Sequence, residues 1–119
     1  MYYKRNESYR FVFNQPVTGK LTKREESNTV NAVVEVLDVS NEGAKVRCNH
    51  DINFARNQKV YLSFSLNSSA FHAPGTVIWS KRFHSSTEMG LHLQTDNEYR
   101  NNMIKELKEI AKQKKKSNK

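Results

Sequence analysis

Hydrophobic and polar residues alternate over several short stretches of the chain. In residues 60–66, Tyr61, Ser63 and Ser65 separate apolar side chains at every second position. A period of two is typical of a strand with one buried face. Shorter alternating runs occupy residues 44–48, 77–79 and 89–93. Residues 30–37 form a near-continuous apolar run, and residues 11–21 form a weaker strand broken at 14–16. The pattern predicts about six short strands, at a spacing typical of β-sandwiches and barrels.

The residues between these runs indicate how the strands connect. Polar turn residues lie at 40–43, 50–53, 67–69 and 85–86. No helical pattern separates the strands, so parallel β-α-β units are not expected. Within 77–79 the alternation places Val77 and Trp79 on one face and Ile78 on the other. Aromatic residues of such strands usually pack in or on a core, and this interpretation is preferred to base stacking for Phe64, Phe71, Tyr61 and Trp79.

The period changes after Thr95. Apolar side chains at steps of four predict one helical face with Tyr99, Met103, Leu107 and Ala111, and with Ile104 and Ile110 beside it. Thr95 or Asp96 is suited to cap the first turn. The predicted fold class is all-β with a C-terminal helix.

Composition narrows the class of protein. The 119 residues fit one domain. The single cysteine, Cys48, excludes an internal disulfide and favours a reducing compartment. The polar N-terminus lacks the apolar stretch of a signal peptide, and no apolar run approaches the ~20 residues of a transmembrane helix. A cytoplasmic location with no transmembrane segment is expected.

The net charge of +8 suggests an anionic partner, but it is unevenly distributed. Much of the excess lies after Met103, in the predicted helix and in a lysine-rich end. We expect residues 112–119 to form a basic, disordered tail. Such tails are usually solvated, so no specific nucleic-acid binding is expected from this one.

The sequence gives no support for catalysis or metal binding. No two of its four histidines stand four residues apart, as a helical zinc site would require. Ser40 is not in a G-x-S-x-G elbow, and neither a P-loop nor a G-x-G-x-x-G loop is present. The chain is expected not to be an enzyme and to use no metal or cofactor.

A D-x-S-x-x-G segment, Asp38 to Gly43, lies between two predicted strands. Alone, it is a generic polar turn. Two arginines, Arg5 and Arg10, precede the first strand, and G-x-V-x-W and M-G-L-H-L strands follow at 75–79 and 89–93. This ordered set, ending in a helix and covering roughly residues 4–111, resembles the PilZ domain family.

The resemblance implies a six-stranded antiparallel β-barrel with one α-helix packed on it. It also implies a ligand, the bacterial second messenger cyclic di-GMP, bound by an R-x-x-x-R motif and the D-x-S-x-x-G turn. Arg10 matches the second arginine of that motif, Arg5 matches an extra preceding arginine, and Asn6 stands where the family has the first. The implied ligand-binding residues are Arg5, Asn6, Arg10, Asp38, Ser40 and Gly43.

These residue types suit the implied ligand. Arginine binds phosphate through two hydrogen bonds, pairs with the O6 and N7 atoms of guanine, and stacks on purines. Asp38 is able to accept hydrogen bonds from guanine N1–H and N2–H. Ser40 offers a short polar contact, and Gly43 lets the backbone bend and a ligand approach closely. Asn6 donates hydrogen bonds without a charge.

Three functions are consistent with the sequence. The first is a cyclic di-GMP receptor module that signals to a protein partner in motility, secretion or polysaccharide control. The second is a PilZ-shaped interaction domain that no longer binds the nucleotide, for which Asn6 is the argument. The third is a small nucleic-acid-binding barrel, suggested by charge and aromatic strands. The predicted domain spans residues 1–111, with a flexible arm at 1–10.

Overall fold

The computed structural model describes residues 10–25, 27–49 and 54–117, and this part of the chain contains six strands and one helix. The strands are β1 (Phe11–Glu25), β2 (Asn28–Ser40), β3 (Gly43–Cys48), β4 (Lys59–Leu66), β5 (Ser69–Arg82) and β6 (Thr87–Leu93), followed by the helix α1 (Asn97–Ser117). All six predicted strands are present, and several are longer than the alternation alone indicates.

The strands form a closed barrel in the order β1-β2-β3-β6-β5-β4. Every neighbouring pair is antiparallel, and the pairing of β1 with β4 closes the cylinder, with Leu21 opposite Leu62. The predicted six-stranded antiparallel barrel with a C-terminal helix is therefore confirmed.

Alternating side chains of all six strands fill the barrel interior. The strand β4 shows this most clearly, because Val60, Leu62, Phe64 and Leu66 are all buried. The rings of Phe64 and Phe71 stack with their centroids 5.5 Å apart, which confirms that these two pack in the core. Cys48 is also buried, and burial raises the pKa of its thiol.

Bulges interrupt the alternation at three places, between Val12 and Val17, between Val36 and Asp38, and between Val77 and Trp79. The first coincides with the predicted break of β1 at residues 14–16. The third corrects the prediction that Val77 and Trp79 share a face. Ile78 is the extra residue of that bulge, and it shifts the phase of the strand. Val77 is fully buried, whereas 39% of the Trp79 surface is exposed on the outside of the barrel.

The helix α1 lies across one end of the barrel. The side chain of Asp96 accepts a hydrogen bond from the backbone N–H of Tyr99 at 2.8 Å, so Asp96 is the cap. Tyr99 and Met103 are buried as predicted, but Ile104 is 47% exposed. The helix continues to Ser117, beyond the predicted end of the domain at residue 111, and the division into domain and tail stays a prediction. In the described chain, α1 included, no helix has the length and apolar character needed to cross a membrane.

Glu106 takes the buried place that the helical pattern assigns to apolar residues. Its two carboxylate oxygens accept hydrogen bonds from the side chains of Asn67, at 2.5 Å, and Ser69, at 2.7 Å. Asn67 lies in the β4–β5 turn with a positive φ of 57°, and Ser69 is the first residue of β5. Glu106 therefore fastens the middle of α1 to this turn.

The Glu106 contacts predict how stability depends on pH. Hydrogen bonds from Asn67 and then Ser69, together with nearby Lys105, lower the pKa of Glu106 below its ordinary 4.5. The carboxylate therefore stabilises the fold fully above pH 4.5, and this contribution is lost as the pH falls through the lowered pKa. We expect Glu106→Gln to lower the thermal midpoint at pH 7 and to reduce the loss of stability between neutral and acidic pH.

Thermal unfolding followed by circular dichroism at several pH values checks this expectation. Glu109→Gln is the matched control, because Glu109 lies on the exposed side of α1, where its contact among the described residues is a 4.0 Å ion pair with Lys112. Equal pH profiles for the two variants would contradict the role given to Glu106.

Candidate ligand-binding site

Two rows of residues cross the outer face of four neighbouring strands, β2, β3, β6 and β5. In the first row, the backbone register places Asp38 opposite Lys45, Lys45 opposite Gly90, and Gly90 opposite Trp79. The second row lies nearer to α1 and consists of Ser40, Gly43, His92 and Thr76. Residues far apart in the sequence are therefore neighbours on one surface.

A surface pocket of about 420 Å³ lies over these rows. It is lined by Arg10, Asp38, Ser40, Glu42, Gly43, Ala44, Lys45, Ile78, Trp79, Gly90, Leu91 and His92. The structure thus brings together four of the six predicted site residues, Arg10, Asp38, Ser40 and Gly43. Arg5 and Asn6 lie outside the described residues, and the binding role of all six stays a prediction.

Asp38 and Arg10 form the charged corner of the pocket. The Asp38 carboxylate lies 3.8 Å from Nε of Arg10, and its side chain is 6% exposed whereas that of Arg10 is 64% exposed. The bulge at Leu37 shifts the phase of β2, so that Asp38 stands next to the fully buried Val39. A buried acceptor therefore faces an exposed cation.

Ser40 and Gly43 pair with each other at the base of the β2–β3 turn. Among the described residues no glycine has a positive φ, so Gly43 is not needed for an unusual turn conformation. Its role is close approach, because a Cβ there would lie 3.1 Å from the Leu91 carbonyl oxygen and 3.3 Å from Ser40 Oγ. Because Gly43 has no side chain, the backbone on this side of the pocket is not covered.

Trp79 forms the apolar wall of the pocket, which the sequence interpretation missed. Its indole ring lies against Gly90, where any Cβ would overlap the indole atoms. One face of the ring is thus held by the backbone of β6, and 39% of the residue stays accessible. The glycine of the M-G-L-H-L strand was visible in the sequence, but only the register shows that it stands opposite Trp79.

Lys45 and His92 add cationic or hydrogen-bonding groups that were also missed. Lys45 lies between Asp38 and Gly90 in the first row, and His92 lies opposite Gly43 in the second. Both residues line the pocket. Alternation alone assigned them to an exposed strand face, and nothing local distinguishes them from other surface residues.

The pocket is joined to α1 through the β2–β3 turn. The Glu42 carboxylate lies 3.9 Å from Nε2 of His92 and 3.8 Å from a guanidinium nitrogen of Arg100. Hydrogen bonds to the backbone carbonyls of the turn are shorter: Leu93 N–H donates to the Glu42 carbonyl at 2.8 Å, and the Thr95 hydroxyl donates to the Asn41 carbonyl at 2.9 Å. The turn that carries the D-x-S-x-x-G motif therefore contacts the first turn of the helix.

The site carries hydrogen-bonding and stacking groups. Among the described residues, no group of three or more histidine, cysteine or acidic side chains is able to hold a metal ion. An acceptor, cations and an exposed ring face in one pocket suit an anionic ligand with a flat, hydrogen-bonding ring system.

Comparison with known proteins agrees with the fold and the motifs. No curated protein matches the chain. The profile of the PilZ domain, however, matches residues 4–110, which covers the barrel, both motifs and most of α1. PilZ domains are receptor and adaptor domains of the cyclic di-GMP-binding type, and this chain belongs to the PilZ domain family.

Proposed function

We propose that this protein is a bacterial, cytoplasmic cyclic di-GMP receptor that passes the second-messenger signal to a protein partner. The observation that carries the proposal is the meeting of Arg10, Asp38 and Trp79 in one pocket of a PilZ-family barrel. Each of the three offers a different contact that a guanine nucleotide requires.

The chemistry of the pocket matches the parts of the ligand. The Asp38 carboxylate accepts from the N1–H and N2–H edge of a guanine. Arg10 and Lys45 neutralise phosphate, and Arg10 is exposed enough to wrap over a bound molecule. The accessible face of Trp79 provides a stacking surface.

The route of the signal follows from the contacts of the β2–β3 turn. A ligand seated on Ser40 and Gly43 touches the turn whose backbone is bonded to Leu93 and Thr95. We propose that the partner recognises the surface made by the ligand, the segment that leads into Arg10 and the first turn of α1, because Arg10 and Glu42 line the pocket and Glu42 contacts Arg100 of that turn.

Calorimetric titration with cyclic di-GMP tests the proposal directly. Wild-type protein is expected to bind, and Arg10→Ala and Asp38→Ala are each expected to weaken binding about tenfold to a hundredfold, the equivalent of a charged hydrogen bond of about 1.5–3 kcal/mol. Arg24→Ala is the matched control, because Arg24 is exposed on β1 outside the pocket. No heat with wild type, or equal losses with Arg24→Ala, would refute the proposal.

The single tryptophan gives an independent readout. We expect cyclic di-GMP to quench or shift the emission of Trp79 with the same dissociation constant as the calorimetric titration, because the indole lines the pocket. Gly90→Ala is expected to displace the ring and to reduce both the signal and the affinity, since a Cβ would overlap the indole. An unchanged emission at saturating ligand would argue against stacking on Trp79.

The substitution Asn6→Arg separates the receptor from the alternative, a PilZ domain that no longer binds nucleotide. Adding the family's arginine is expected to raise affinity about tenfold to a hundredfold. Ser8→Arg adds the same charge two positions away and should have a much smaller effect. Binding that appears only in Asn6→Arg would favour the interaction domain as the wild-type function, whereas equal gains in both variants would indicate a general effect of charge.

A further inference from the structure

The end of the barrel opposite α1 carries cations that form no ion pair with a described carboxylate. Five exposed side chains contribute, namely Arg24, Arg56, Lys59, Lys81 and Arg82. None of them has a carboxylate oxygen within 4.0 Å among the described residues. We call these five residues the basic rim.

The basic rim involves three neighbouring strands, but the register places Lys59 opposite Thr76, so that Lys81 and Arg82 lie five and six residues further along β5. The strand β4 lies between β1 and β5, and adjacent strands are about 5 Å apart. Arg24 lies near the end of β1, Lys59 begins β4, and Lys81 and Arg82 end β5. The loop that carries Arg56 is held against β5 by a 2.7 Å hydrogen bond from Asn57 N–H to the Val77 carbonyl.

An exposed aromatic ring stands at the tip of the adjoining β5–β6 hairpin. Phe83 N–H donates to the Ser86 carbonyl at 2.7 Å, which closes the turn. The residue is 42% exposed, and Nζ of Lys81 lies 5.5 Å from the centre of its ring. Lys81 faces this ring although Glu88 is its cross-strand neighbour. An apolar group flanked by cations is therefore presented outward.

We propose that the basic rim and Phe83 dock this protein on an anionic phospholipid bilayer. Lysine and arginine are attracted to the negative surface of such a bilayer, and an aromatic side chain inserts at the headgroup level. The β5–β6 hairpin extends beyond the start of β4, so its tip projects from the barrel and is able to meet a flat surface. A nucleic-acid strand would instead need a groove with successive aromatic platforms.

Sedimentation with lipid vesicles tests the proposal on the full chain without nucleotide. We expect binding to phosphatidylcholine vesicles that contain phosphatidylglycerol, weaker binding as salt rises, and none to pure phosphatidylcholine. Removing both charges in Lys81→Ala/Arg82→Ala should lower the partition coefficient about thirtyfold, since each contributes about fivefold. Phe83→Ala should lower it several-fold while leaving the salt dependence unchanged.

The matched control is Lys105→Ala/Lys108→Ala, which removes the same charge from the exposed side of α1 at the other end of the barrel. Its partition coefficient should stay close to that of the wild type, and circular dichroism checks that all variants are folded. Equal losses in both double variants, no loss in Lys81→Ala/Arg82→Ala, or binding to neutral vesicles would each overturn the proposal. Binding of single-stranded RNA that depends on the basic rim, without vesicle binding, would assign the surface to nucleic acid instead.

Discussion

The pairing of β1 with β4 is the constraint on which the structure depends. It gives every strand two partners, so that the barrel has no free edge and the inner and outer positions are fixed all the way round. Leu21 and Leu62, which face each other in this pair, have no exposed surface. Because the interior is filled with apolar side chains, a polar site has to lie on the outside or at an end of the cylinder.

The pocket is built where the strands depart from regular alternation. The bulge in β2 sets the position of Asp38, and the bulge in β5 turns Trp79 outward. These two strands are the outer members of the four-stranded face, so the bulges flank the pocket on both sides. A bulge re-aims a side chain without breaking the barrel. The regular strands β3 and β6 between them supply Lys45, Gly90 and His92 at fixed register.

Local signals made most of the fold predictable. Alternation identified all six strands, and the four-residue steps and Asp96 identified the helix and its cap. Register is not local, so the sequence did not reveal that Gly90 and Lys45 lie beside Trp79 and Asp38. The buried face of α1 was partly misjudged for a similar reason: the donors of Asn67 and Ser69 make Glu106, and not Ile104, the residue that faces the barrel.

Glu42 shows how a pocket of this kind can respond to a ligand without unfolding. Its carboxylate contacts with His92 and Arg100 are long, and the Glu42 side chain is 61% exposed, so each contributes at most about 1 kcal/mol. A phosphate near His92, which lines the pocket, would compete with Glu42 for this contact at little cost. The backbone bonds of Asn41 and Glu42 to Thr95 and Leu93 are short and do not depend on charge. The side chains of this turn can therefore exchange partners while its backbone continues to hold the start of α1, which is the property that a signalling contact between pocket and helix requires.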